Sequence, residues 1–86
     1  MKVTNRYEMQ KIADEILLVP KAKENLQDAL LLNKMAAIVY SLLVEGASIG
    51  SIIEAVTSEY EVDFAVVEKD ISNTIEILRK YNVVED

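Results

Sequence analysis

Short apolar runs without a sustained helical period occupy the first part of the chain. Between residues 7 and 20, the sequence YEMQKIADEILLVP holds two runs rich in Ile, Leu and Val, which Ala13 and Asp14 separate and Pro20 ends. Apolar runs bounded by turn residues are typical of a β-hairpin. We therefore expect strands at about residues 7–12 and 15–19.

Three consecutive leucines follow a polar connection and precede the first clear helix. They cannot all belong to the apolar face of that helix, which later residues form. In a strand at about residues 28–32, alternation would place Leu30 and Leu32 on one face. Ala29 and Leu31 would then lie on the other face. The pattern therefore favours a third strand.

The rest of the sequence predicts three helices, because apolar residues recur there at intervals of three and four. Asn33, Ser48 and Asp63 are N-capping residues at the helix starts, and Gly46 favours a left-handed exit from the first helix. The predicted helices cover about residues 34–45, 49–60 and 64–81.

Each helix has one apolar stripe that we expect to be buried. In the first helix the stripe is Met35, Ile38, Val39, Leu42 and Leu43. In the second it is Ile49, Ile52, Ile53, Val56 and Tyr60. In the third it is Phe64, Val67, Ile71, Ile75 and Leu78. The predicted fold class is α+β, with three N-terminal antiparallel strands followed by three helices, as in a winged helix-turn-helix; the final NVV could add a short extended piece.

The two flanks of the third stripe differ in chemistry on a helical wheel. One flank carries long charged side chains and is an ordinary solvated face. The other carries two aliphatic residues, one tyrosine and no long charged side chain. This flank either packs against the sheet as additional core or accepts a partner. Its members are Val66, Asp70, Asn73, Thr74, Ile77 and Tyr81.

Length and composition exclude several classes of partner and of chemistry. The 86 residues suit a single domain spanning 1–86, and a net charge of −6 disfavours nucleic acid as a partner. Without Cys or His, thiolate and imidazole chemistry and disulfides are excluded. There is no signal peptide and no apolar run long enough to span a bilayer, so we expect a cytoplasmic protein that does not bind membranes.

Other candidate sites have ordinary structural explanations. The alternating acids Glu59, Glu61 and Asp63 lack the turn glycine and the distant bidentate Glu of a calcium loop. Nothing in the sequence brings two carboxylates together in a cleft, and the four tyrosines are not interleaved with basic residues. We therefore expect no enzyme activity, no cofactor and no metal.

Three stretches of the chain resemble a known family: LLLNKMAAIVYSLL, EGASIGSIIEAVTSEYEVD and VEKDISNTIEILRKYNVVE. In these stretches the order and spacing of caps, small residues, acids and aromatics are similar to those of the PqqD-like peptide chaperones, also called RiPP recognition elements. MQKIADEILLVP also resembles the opening hairpin of that family. Two residues depart from its pattern, since Lys34 replaces a frequent Glu and Asn82 a usual Gly. The matching positions are Leu32-Asn33, Ala36-Ala37, Tyr40, Gly46, Ser48, Tyr60-Glu61-Val62-Asp63 and Asp70-Ile71.

The resemblance implies a function in the biosynthesis of pyrroloquinoline quinone or of another ribosomally made and modified peptide. Members of the family bind the leader segment of a precursor peptide and deliver it to a tailoring enzyme, commonly a radical SAM protein. The leader adds as a strand to the third strand, and its side chains enter the space beside the last helix. The implied peptide-binding residues are Asp28, Ala29, Leu30, Leu31, Val66, Asp70, Asn73, Thr74, Ile77 and Tyr81.

An alternative function is a winged-helix transcriptional regulator or a general protein-protein interaction module. The third helix has no basic cluster at its N-terminal end that could reach base edges, which disfavours DNA binding. The exposed strand edges also allow a weak homodimer in place of a monomer. Met1 and the complete final helix favour a free-standing protein over a domain cut from a larger enzyme.

Overall fold

The computed structural model describes residues 1–21 and 28–86, in which a three-stranded sheet and three helices share one hydrophobic core. Two short strands, one near each end of the described chain, form a second sheet. The elements in chain order are β1 (Lys2–Val3), β2 (Tyr7–Ile12), β3 (Glu15–Pro20), β4 (Leu30–Leu32), α1 (Lys34–Val44), α2 (Ile49–Tyr60), α3 (Phe64–Lys80) and β5 (Val84–Glu85). The predicted order of three strands followed by three helices is confirmed.

Strands β2, β3 and β4 form an antiparallel sheet in that order. The hairpin turns at Ala13 and Asp14, where Ala13 takes a left-handed φ of 56°. Strand β4 begins at Leu30, two residues later than predicted, because only its three leucines pair with β3. Asp28 and Ala29 therefore precede the strand and do not belong to it.

A second, two-stranded sheet joins the two ends of the described chain. Strand β1 pairs with β5 in antiparallel register, and the amide of Thr4 donates a hydrogen bond of 2.8 Å to the carbonyl of Val83. The extended piece after the last helix was predicted, but β1 was not. Two residues are too few to show a period, so sequence alone gives no signal for this strand.

The helix ends follow the capping residues in the sequence. The side chains of Asn33, Ser48 and Asp63 accept hydrogen bonds from backbone amides in the first turns of α1, α2 and α3. Gly46 follows α1 with φ of 89°, and Asn82 follows α3 with φ of 60°. The asparagine thus takes the left-handed conformation that a glycine usually supplies at a helix exit.

Two residues of the predicted stripes lie outside the hydrophobic core. Phe64 is 54% exposed and Ile49 is 38% exposed, although both were expected to be buried. Each is the first residue of its helix, and helical side chains lean toward the N-terminus, so these two project beyond the packed turns. The other stripe residues lie in the core or pack against it. The largest fully buried side chains of the core are Leu18, Val39, Ile52, Val56, Val67, Ile71, Leu78 and Val83.

Candidate functional site

Strand β4 forms one edge of the three-stranded sheet. Its partner on one side is β3, and on its other side no strand pairs with it among residues 1–21 and 28–86. Leu32 is buried at 3% exposure and Leu30 packs against the core, whereas Leu31 is 56% exposed. The predicted alternation along the leucine run therefore agrees with the structure, and the outward residue of this edge is a large apolar one.

The flank of α3 that lacks long charged side chains is accessible to solvent. Val66 is 50% exposed and Ile77 is 48% exposed, while Val67 and Ile71, on the neighbouring stripe, are buried. Exposure of this kind removes the alternative in which the whole flank packs as additional core. The other members are exposed or half-buried side chains: Asp70, Asn73, Thr74 and Tyr81.

The polar side chains on this flank differ in whether they already form hydrogen bonds within the protein. The hydroxyl of Thr74 donates a hydrogen bond of 2.9 Å to the carbonyl oxygen of Asp70, one helical turn earlier. In the described part of the chain, the side chains of Asp70 and Asn73 form no hydrogen bond or ion pair. A carboxylate and an amide on the same flank are thus available to a polar group of a ligand.

A hydrogen bond fixes the end of α3 against the sheet. The phenol of Tyr7, the first residue of β2, donates to the carbonyl oxygen of Tyr81. Burial raises the pKa of the Tyr7 phenol above its ordinary value of 10.0, although Arg6 nearby lowers it, so this donor keeps its proton at neutral pH. Tyr7 lies opposite Pro20, close to the end of the sheet at which β4 begins.

The predicted site residues therefore form two accessible surfaces. Leu31 lies on the edge strand β4, and the exposed Asp28 and Ala29 come directly before it. The residues of the α3 flank lie on the helix, with Tyr81 directly after its last turn, and the end of that helix is anchored near the start of β4. Leu30 differs from the other predicted residues, because its side chain packs against the core and only its backbone belongs to the edge.

Another concave surface was not predicted from the sequence. It lies between the tip of the β2–β3 hairpin, α1 and the second half of α2. Its lining comes from three separate segments and combines turn residues, exposed helix residues and core residues such as Ile16 and Val56, and each of these has an ordinary local explanation. No pattern along the chain could therefore have indicated it.

Comparisons with known proteins bear on both fold and function. Residues 5–84 match the family described as Coenzyme PQQ synthesis protein D (PqqD). The structure is similar to that of TbiB1, solved in complex with the TbiA(beta) leader peptide, with a TM-score of 0.87 and 27% sequence identity over 99% of this chain and 95% of that one. No curated protein sequence shows a significant match.

A second solved structure, lasso peptide synthetase B1 complexed with the leader peptide, is 21% identical and has a TM-score of 0.83. The two chains superpose over 99% of this chain and 96% of the other. At this identity the likeness concerns the fold. Both comparisons confirm the α+β architecture, with its sheet followed by three helices.

Proposed function

Since the chain belongs to the PqqD family, we propose that it binds the leader segment of a ribosomally made precursor peptide and presents it to a tailoring enzyme. The observation that carries this proposal is the likeness, over nearly the whole chain, to TbiB1 in complex with a leader peptide. The unpaired edge at β4 and the accessible flank of α3 support the same binding mode.

In this proposal the backbone at Asp28 to Leu32 receives the leader as an additional antiparallel strand. An edge strand carries N–H and C=O groups that a peptide can pair with, so main-chain hydrogen bonds hold the peptide in register. Leu32 and the half-buried Leu30 fasten the strand to the core, and the exposed side chains of Ala29 and Leu31 contact the bound peptide.

The flank of α3 forms the second wall of the proposed binding groove. Val66 and Ile77 offer apolar surface, and Thr74 presents its methyl group because its hydroxyl is bonded within the helix. Alternate leader side chains point toward this wall, since successive residues of a strand face opposite sides. Asp70 and Asn73 then select a basic or amide side chain of the leader.

We propose that this role is non-catalytic and that residues 1–86 act as one domain. Precursor peptides are made on ribosomes, so the proposed capture takes place in the cytoplasm. Among the described residues no helix is long and apolar enough to cross a membrane. A radical SAM enzyme as the recipient of the peptide stays a prediction.

Amide-shift titration of the isotopically labelled protein tests the proposal directly. The ligands are synthetic leader segments of candidate precursors encoded beside the gene of this chain. Strand addition predicts saturable shifts confined to Asp28–Leu32 and to the Val66–Tyr81 flank. Saturable binding elsewhere on the folded protein, or no shifts with any candidate leader, would remove the proposal.

A second set of peptides distinguishes strand addition from side-chain docking. Methylating one backbone nitrogen at a time removes one donor and leaves the side chain unchanged. In an antiparallel ladder only alternate residues of an added strand direct their N–H groups toward the neighbouring strand. Binding should therefore weaken at every second methylated position, whereas a uniform response would contradict pairing along β4.

A further inference from the structure

A groove of about 440 Å³ has no lining residue on β4 or on the flank of α3 that lacks long charged side chains. One wall is the tip of the β2–β3 hairpin, and the others are α1 and the second half of α2. None of the residues that line this groove belongs to the proposed leader-binding site. The two surfaces could therefore be occupied at the same time.

The floor of the groove is apolar and its rim is mainly acidic. Ile38 and Leu42 of α1 are half-buried, and Val56 of α2 is buried beneath them. The ammonium of Lys34 lies 5.7 Å from the centre of the Tyr60 ring, so one of the basic groups covers an aromatic face. The charged side chains around the floor are Asp14, Glu15, Glu45 and Glu59, against Lys11 and Lys34.

The backbone around the groove restricts the kind of segment that fits. The walls at α1 and α2 are helical, so their backbone groups are bonded internally. On the sheet side, Ile16 is paired with Lys11 on one neighbouring strand and with Leu32 on the other. The backbone at Ile16 and along both helices is therefore already hydrogen-bonded, and a helix, which satisfies its own backbone, suits such a surface.

We propose that this groove binds an amphipathic basic helix of a partner protein, with aliphatic side chains on the floor and Lys or Arg side chains along the acidic rim. The four rim carboxylates outnumber the two lysines, and the whole chain has a net charge of −6, so approach of a basic helix is favoured. This goes beyond leader binding, because it provides a separate surface for a second protein.

A designed helix serves as the probe. It is a capped peptide of about four turns with Leu at i, i+4 and i+7 and Lys on both flanks. A matched peptide carries Glu in place of each Lys. With the 86-residue protein we expect saturable binding of the Lys peptide, amide shifts at the hairpin tip, α1 and the end of α2, and binding of the Glu peptide about tenfold weaker or more.

Substitutions at exposed helical positions test the location. Ser41→Lys with Ala55→Lys adds positive charge to the groove and should weaken binding of the Lys peptide about tenfold. Ser58→Lys with Ser72→Lys adds the same charge at exposed positions outside the groove and is the control. Glu45→Lys with Glu59→Lys should reverse the preference, so that the Glu peptide binds better.

Three results would overturn this proposal: no binding of the Lys peptide, equal binding of the two peptides, or shifts that map to β4 and α3. Leader binding measured on the same variants should be unchanged. If the unmodified protein binds no leader but still binds the Lys peptide, the proposed function is wrong and the proposal for this groove stands. The two failures are therefore distinguishable.

Discussion

Replacing Leu31 by Lys together with Ile77 by Glu should abolish most leader binding and leave the fold intact. Both side chains are about half exposed, with exposures of 56% and 48%, so neither contributes much to the core. Surface substitutions of this kind usually change the free energy of unfolding by about 0.5 kcal/mol or less. In the proposed leader-binding groove these two residues lie on opposite walls, so the double substitution alters both walls.

The expected loss of affinity follows from the exposed area. Complete burial of a leucine or isoleucine side chain is worth about 1.5–3 kcal/mol, so burying the exposed half of one contributes roughly 1 kcal/mol. The two residues together contribute about 2 kcal/mol, which corresponds to a roughly 30-fold change in Kd. Because the new charges must also lose water when the peptide covers them, this value is a lower limit.

Fluorescence anisotropy of a labelled leader peptide measures Kd, and thermal unfolding followed by circular dichroism reports the fold. A matched control is Val44→Lys with Val62→Glu, which introduces the same two charges at apolar residues that are 57% and 39% exposed. Neither control residue belongs to the proposed leader-binding groove. The control should bind the leader as the unmodified protein does.

The proposed binding mode is wrong if the Leu31→Lys, Ile77→Glu variant unfolds at the same temperature as the unmodified protein and binds the leader with a Kd within about threefold, or 0.7 kcal/mol, of the unmodified value. In that case neither wall of the groove contacts the peptide as proposed. A loss of the same size in the control variant would equally contradict the location, because binding would then not depend on where the two charges are placed.

Three further predictions concern stability and partners. Ala13→Gly should raise the free energy of unfolding by about 0.5–1 kcal/mol, because φ there is 56°, and Gly46→Ala, at 89°, should lower it by about 1 kcal/mol; urea unfolding measures both. Burial raises the pKa of Tyr7 and Tyr40, so the folded state holds these protons more tightly, and the stability that the two tyrosines contribute should be lost as pH rises above their ordinary pKa of 10.0. Urea unfolding should show a shallower alkaline decline for Tyr40→Phe, and an unchanged decline would contradict this assignment. With a net charge of −6, the protein should not shift duplex DNA in a low-salt mobility assay, and a salt-sensitive shift would favour the regulator alternative.

Local chemistry explains why the helices could be predicted. Asn33, Ser48 and Asp63 cap helices through bonds to amides only two or three residues away, so their effect can be read from a short stretch of sequence. Gly46 also acts locally, through its own φ. By contrast, Phe64 has the correct spacing for burial and is exposed, because what covers a helix's first residue depends on a distant part of the chain.

The candidate site likewise has a part that the sequence predicts and a part that depends on residues far apart in the chain. The wheel indicates that Val66 and Ile77 share a flank without long charges, and the structure shows both to be exposed. No local pattern determines what lies opposite that flank, because this depends on how the end of α3 is held through Tyr7 and Tyr81, which are far apart in sequence. The groove at the hairpin tip is assembled from three segments and could not be predicted for the same reason.

The leucine run links the core to the proposed binding edge. Leu30 and Leu32 point toward the core, and Leu31, between them, points outward. A slip of one residue against β3 would reverse all three, exposing two leucines to bury one, so core packing strongly specifies this register. A peptide that pairs with β4 needs a template with one fixed register, because its side chains must meet the same places on α3 each time. The residues that stabilise the fold would thus also give the proposed edge its specificity.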